Sequence, residues 1–153
     1  MTDKLDNIDL SILRQLQKDA SLSVDQISER VALSRNACWR RIKRMEDDGT
    51  LKARVALVDP DAVGLGQMVL VMIRTSSHSP DWLRQFKAAV QGMPEITGAH
   101  RMSGDLDYVL RVRVKDVKAY DNFYQRLIAR VPVANVSASF VMEDIKDTTE
   151  LPL

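Results

Sequence analysis

Residues 33–49 read LSRNACWRRIKRMEDDG and gather five basic side chains, the single cysteine and one of the two tryptophans. Ser34 is a good N-cap residue, because its hydroxyl can accept a free backbone N–H of the first turn, and Gly49 tolerates the left-handed backbone just past a helix end. The spacing therefore predicts a helix between them. At about 100° per residue, Cys38, Ile42 and Met45 fall in one narrow sector, while Asn36, Arg40, Lys43 and Arg44 fall on the opposite side. Trp39 lies at the edge between the two, and Arg35 sits in the first turn. The charge has a face, and the face has an apolar back.

Two more short helices precede it. Asp6 can cap a first one, with Ile8, Ile12, Leu13 and Leu16 along its buried side. Ser23 and Gln26 make a capping box for a second, which carries Val24, Ile27 and Val31. Only a tight turn at 32–34 separates the second helix from the third, and that is the arrangement of a helix-turn-helix. In that motif the last helix enters the major groove, with its N-terminal residues near base edges and its other basic residues near phosphates. Arg35, Asn36, Trp39 and Arg40 are therefore candidates for base readout, Lys43 and Arg44 for phosphate contact, and the capping Ser34 completes the candidate DNA-binding set. A charged helical face is more often merely solvated; the capped helix immediately upstream is what favours double-stranded DNA as a partner. Cys38, alone on an apolar face, reads as a small core residue rather than a redox sensor.

The rest of the composition bounds the reading. The chain has 153 residues and a net charge of +1, with 11 basic and 10 acidic residues up to Pro60 and 11 of each after it, so any nucleic-acid surface is local. One cysteine allows neither an internal disulfide nor a cysteine zinc cage. No apolar run reaches the roughly 18 residues of a membrane span, and the start MTDKLDNIDL lacks a signal-peptide core, so a cytoplasmic location is expected.

Past the third helix, LKARVALVD (51–59) alternates loosely and reads as an extended linker strand, closed by Pro60, with Gly64 and Gly66 marking a hinge. MVLVMIRT (68–75) is a nearly continuous apolar run that suits a buried strand. Pro80 opens a helix bearing Trp82, Leu83, Phe86, Ala89 and Val90. EITGAHRM (95–102), the turn SGDLD (103–107) and DYVLRVRV (107–114) make a hairpin, with Tyr108, Leu110, Val112 and Val114 on one side. Asp116 opens another helix, on which Val117, Tyr120, Tyr124, Leu127 and Ile128 read as apolar. The last strand, VANVSASFVMED (133–144), sets Val136, Ala138, Phe140 and Met142 against Ser137, Ser139 and Val141. The order βαββαβ is ferredoxin-like. The fold class is thus α+β, with a helix-turn-helix unit over 1–52, a linker over 53–66 and a ferredoxin-like unit over 67–153. Two helices would cover one sheet face, and the other predicts self-association.

At this point the chain resembles the leucine-responsive/AsnC family of transcription regulators. The likeness rests on LDNIDLSILRQLQKDA (5–20), LSRNACWRRIKRMEDDG (33–49), Asp59-Pro60, MSGDLDYVLRV (102–112) and SASFVMEDIKDTT (137–149), collinear over almost the whole length. Cys38-Trp39 and the Leu-Pro near the end are similar to a subgroup linked to cysteine breakdown. The resemblance implies a winged helix-turn-helix and a regulatory domain, a homodimer that often assembles to an octamer, and an amino-acid effector, cysteine or another hydrophobic or sulfur amino acid being candidates, held between dimers near the hairpin turn. On the positions of this chain that means Met102, Ser103, Gly104, Asp105, Asp107 and Tyr108. Backbone amides at 103–105 could receive the α-carboxylate, Asp105 or Asp107 the α-amino group, and Ser137 and Ser139 could add hydroxyls from a neighbouring strand. Leu106 stands where the family usually has an aromatic residue. SGDLD is also an ordinary hairpin turn in which Asp107 could cap its own backbone.

Two other classes remain open. A constitutive DNA-organising protein would present the same helix and ignore metabolites. An enzyme would need more than His78 and His100, which have no partner acid or nucleophile at a recognisable spacing, no metal-ligand cluster and no phosphate loop beside them. His78 reads as exposed loop and His100 as a hydrogen-bonded structural histidine. Neither a cofactor nor a metal is expected.

Overall fold

The computed structural model describes residues 5–75 and 77–153, so the first four positions of the N-terminal stretch lie outside it. The chain forms two compact units: one closes at Leu57 and takes in Lys146–Leu153, and the other is Val58–Ile145.

The first unit holds α1 (Asn7–Lys18), α2 (Val24–Arg30) and α3 (Arg35–Asp47). Asp6 and Asp9 form a reciprocal capping box at α1, Ser23 and Gln26 do the same at α2, and Ser34 accepts from the Ala37 N–H at α3. Between α2 and α3 Ala32 takes φ 53°, and after α3 Gly49 takes φ 78°. Ile12, Leu13, Leu16, Leu22, Ile27, Cys38, Ile42 and Met45 make the core. Leu151 exchanges two hydrogen bonds with the Gln17 side chain, and Arg14 Nε donates to the Leu153 carbonyl at 2.8 Å. Among the described residues this unit contains no strand. The linker read as a strand differs too: residues 53–59 join no ladder, and Val55, Leu57 and Val58 are exposed. Alternation alone does not make a strand when no partner backbone lies alongside.

The second unit holds β1 (Gln67–Arg74), α4 (Pro80–Gln91), β2 (Ile96–Arg101), β3 (Tyr108–Val114), α5 (Val117–Arg130) and β4 (Asn135–Phe140). The sheet order is β2-β3-β1-β4 with every neighbouring pair antiparallel, the ferredoxin-like arrangement expected. Val69, Val71 and Ile73 of β1 and Tyr108, Leu110, Val112 and Val114 of β3 face the helices, where Trp82 and Phe86 stack at 5.0 Å and Phe123 and Leu127 are fully buried. The other face of β1 is left uncovered, as expected, and Leu70 there keeps 37% of its surface exposed. That face also carries Met72, Val109, Arg111, Ser137 and Ser139, paired across β1.

Two further expectations differ. On α5 the buried phase is Phe123 and Leu127, while Val117 is 64% exposed; the helix has apolar residues in two phases, and contact with the sheet selects one. Met142, expected beside Phe140, is 94% exposed because β4 ends at Phe140 and the last bond to β1 is from the Val141 N–H to the Met68 carbonyl.

Candidate nucleic-acid interface and effector turn

Helix α3 is anchored by its apolar back. Cys38, Ile42 and Met45 are buried against α1 and α2, and burial pushes the Cys38 thiol above its ordinary range. With that side fixed, Arg35, Asn36, Trp39, Arg40 and Lys43 project outward, and Trp39 is 54% exposed. A shallow groove along this side is lined by Trp39, Arg40, Lys43, Arg44, Asp47 and Asp48.

The cations are less free than a helical wheel implies. Arg35 Nε lies 2.9 Å from Asp25 Oδ1 on α2, and Lys43 pairs with Asp47 one turn on at 2.8 Å. Arg41 reaches back to Asp6 and Asp9 at 2.7 and 2.8 Å, and Arg44 reaches Asp9 at 2.6 Å. Arg40 alone of the α3 cations forms no ion pair among the described residues. Arg44, read as lying on the side opposite the core, is therefore only half-exposed and holds α1, and its Nε is buried without a hydrogen-bond partner among the described residues.

Asp9 is the hub of this arrangement. Only 1% exposed, it accepts from both guanidinium groups and closes the capping box on the Asp6 N–H. Burial acts to raise its carboxyl, but the bond with the Asp6 backbone and the hydrogen bonds from Arg41 and Arg44 together outweigh it and hold the group below the usual aspartate range. Sequence reasoning missed Asp9, Arg41 and Asp25. The available signal was the Asp6-x-x-Asp9 spacing, in which an acid at the third helical position points back along α1 toward α3.

At the hairpin, Ser103, Gly104 and Asp105 are exposed, and Gly104 takes φ 124° with no heavy atom within 4 Å of where a Cβ would stand. Met102 is exposed and its N–H donates to the Asp107 carbonyl at 2.8 Å. Asp107 does not cap its own backbone: its Oδ2 accepts from the Thr75 N–H at 2.8 Å, and His78 Nε2 stands 3.7 Å from Oδ1. Asp105 is thus the carboxylate left facing solvent. Tyr108 is buried, with its ring 4.5 Å from Phe86 and 5.6 Å from Trp82, so its side chain belongs to the core. Ser137 and Ser139 are not on a strand next to the hairpin. They pair with Met72 and Leu70 of β1, which lies between β4 and β3. His78 is exposed as expected, whereas His100 is exposed on β2, where it pairs with Val109 of β3, and its side chain forms no hydrogen bond with another described residue.

Comparison with known proteins matches each part of the chain to a known family. Residues 5–52 match the family described as winged helix-turn-helix DNA-binding, and residues 68–151 match the Lrp/AsnC ligand binding domain. The DNA-binding transcriptional activator DecR of Escherichia coli is 48% identical over 150 residues, covering 97% of this chain and 99% of that protein. An AsnC family transcriptional regulator from Agrobacterium tumefaciens superposes with a TM-score of 0.93 at 51% identity, over 97% of both chains. The Neisseria meningitidis regulator NMB0573, solved in complex with L-Met, gives the same TM-score at 35% identity, again over 97% of both chains. Two domains in the family's order, each matched along most of its length, establish that this chain belongs to the Lrp/AsnC family of DNA-binding transcription regulators and is not an enzyme.

Proposed function

We propose that this regulator reads DNA with the outer side of α3 and changes its DNA occupancy when an amino acid binds near the 102–107 turn. The observation that carries the DNA reading is the contrast within one helix: Cys38, Ile42 and Met45 are buried, while Arg35, Asn36, Trp39 and Arg40 project together from the N-terminal half. Arg35, Asn36, Trp39 and Arg40 meet base edges, with the Ser34 cap at the groove floor, and Lys43 meets phosphate after release from Asp47. Arg44 serves mainly through Asp9, because its guanidinium is already engaged there.

For the effector, exposed amides at Ser103–Asp105 suit a carboxylate, and Asp105 suits an ammonium. Asp107 and Tyr108 shape the turn from within. Ser137 and Ser139 contribute to the uncovered sheet face, where with Leu70, Met72 and Val109 they form a surface for a second copy of the chain. Exposed Val55, Leu57 and Val58 add apolar surface for the same purpose. A dimer would present two α3 helices to half-sites about one DNA turn apart, or a multiple of it. Assembly to an octamer would let a ligand held between dimers favour one association state, which requires unequal affinity for the two states. Candidate ligands are cysteine, methionine and other hydrophobic or sulfur amino acids, a class supported by the L-Met bound to the meningococcal relative.

Fluorescence anisotropy tests this directly. A labelled duplex from upstream of the protein's own gene is titrated with the full chain, alone and with each common amino acid. Saturable binding that survives competitor DNA and moves with one amino acid supports both halves of the proposal. Binding that no amino acid moves favours a constitutive DNA-organising role. No binding overturns the reading of α3. Replacing Gly104 with Val should remove the amino-acid response while DNA binding persists, since a β-branched residue resists the backbone at φ 124°, and Asp105→Ala should weaken the response with the backbone intact.

A further inference from the structure

The Asp25–Arg35 pair is unlike the other ion pairs of the first unit. Arg41 and Arg44 converge on the buried Asp9, Lys43 pairs along its own helix, and Arg54 reaches back to Glu46 near the end of α3. Arg35 instead pairs across the helix-turn-helix, from the first residue of α3 to the second residue of α2, with both side chains more than half exposed. An ion pair so wet contributes little to folding stability. Its consequence lies in where it holds the guanidinium. Both side chains spring from capped helix ends: α2 carries its Ser23–Gln26 capping box, the Ser28 hydroxyl donates to the Asp25 carbonyl at 2.8 Å, and Ser34 caps α3 immediately before Arg35.

The closest approach is from Nε, an ion-pair contact rather than an aligned hydrogen bond, and neither Nη group forms a hydrogen bond with another described residue. An arginine held on its Nε side offers a terminal fork of two N–H groups, which matches O6 and N7 of guanine in the major groove. The carboxylate that holds it also carries a negative charge at the front edge of the surface that would meet phosphates. We infer that Asp25 is a specificity-determining residue that touches no base: it positions Arg35 for end-on reading of a guanine, and its charge opposes docking on DNA that offers Arg35 no such partner. The inference rests on the proposal that the outer side of α3 enters the major groove.

The two roles have opposite signs when the charge is removed, which makes them separable. A pool of random duplexes is selected with the full wild-type chain, and the recovered consensus, its single-base variants and a scrambled duplex are then titrated with wild type, Asp25→Asn, Asp25→Glu, Arg35→Ala and the Asp25→Asn/Arg35→Ala double variant. Asp25→Asn is expected to bind the consensus about 5- to 20-fold more weakly and the scrambled duplex about 2-fold more tightly, with the preference lost at one G·C pair per half-site. Asp25→Glu should restore part of that preference, and adding Arg35→Ala to Asp25→Asn should cost far less than Arg35→Ala alone. Equal tightening on consensus and scrambled duplexes would reduce Asp25 to a repelling charge and overturn the inference, as would an Asp25→Asn chain whose base preference is unchanged. A cytosine preference that Arg35→Ala keeps and Asp25→Asn loses would mean that Asp25 itself accepts from a base, which also overturns it. If the wild-type selection yields no consensus at all, the failure lies with the base-reading proposal itself, and this inference falls with it.

Discussion

The two units are held together by different physics. Among the described residues, the first has eight buried apolar side chains and, beside them, a buried carboxylate that ties α1 to α3 through two arginines. The second has fourteen, including Trp82, Phe86, Tyr108 and Phe123, and no buried charged residue among those described. Apolar packing is non-directional and scales with area, so a large core fixes a sheet and two helices well enough. A three-helix unit has less area to spend, yet the proposed DNA reading requires α3 to keep one rotation about its own axis. Charge-assisted hydrogen bonds to Asp9 supply the direction that a few aliphatic contacts cannot.

The contrast can be broken from the second unit first. Phe123→Ala removes a fully buried ring from the sheet–helix core and should cost that unit about 3–5 kcal/mol, visible as the loss or large downward shift of one thermal transition while the other stays in place. Asp9→Ala is the corresponding test of the first unit. It leaves two guanidinium groups and the Asp6 N–H without their acceptor, and because both arginines keep some contact with water the expected cost is about 2–3 kcal/mol. DNA affinity should fall with it, since α3 loses its pin. The same contact predicts a pH response. The folded-state pKa of Asp9 is depressed, so its contribution is fully present above the unfolded aspartate value of about 3.9 and is lost as pH falls through the lower folded value. A pH-dependent melt of wild type against Asp9→Asn, which lacks this titration, should converge in acid and diverge above about pH 4. Arg40→Ala sharpens the functional side: with no acid to satisfy, Arg40 should contribute about 1–3 kcal/mol to binding the consensus, and an equal loss on scrambled DNA would mark it as a phosphate contact. The smallest effect concerns Gln17. Gln17→Ala deletes both bonds to Leu151, and about 1 kcal/mol should disappear from the first transition without touching the second.

What could be read in the sequence was what is local. Asp6, Ser23, Ser34 and Asp116 cap the helices they were expected to cap, and Cys38, Ile42 and Met45 are the buried face of α3, because caps and periodicity depend on residues a few positions apart. What was missed is non-local. Nothing near Ser137 states that β1 will lie between β4 and the hairpin, and nothing near Val117 states that the sheet will select the Phe123 phase of α5. The pairing of Asp25 with Arg35 and the convergence of Arg41 and Arg44 on Asp9 likewise become visible only when the helices are in place. The residues proposed to meet DNA were legible because they lie on one helix. Those proposed to hold the effector were less so, since the turn and β4 meet only through the sheet.

The placement of the two tryptophans equips the chain with its own optical reporters. Trp39 stands in water on the outer side of α3, and Trp82 is enclosed in the other core with its indole N–H on the Pro132 carbonyl at 2.6 Å. Water-exposed indoles emit to the red of enclosed ones, so the two emissions are separable without a label. A change at the red edge alone reports an event at α3, and a change at the blue edge reports disturbance of the core behind the sheet. Following both through one titration would time the arrival of DNA against any rearrangement that an amino acid causes in the second unit.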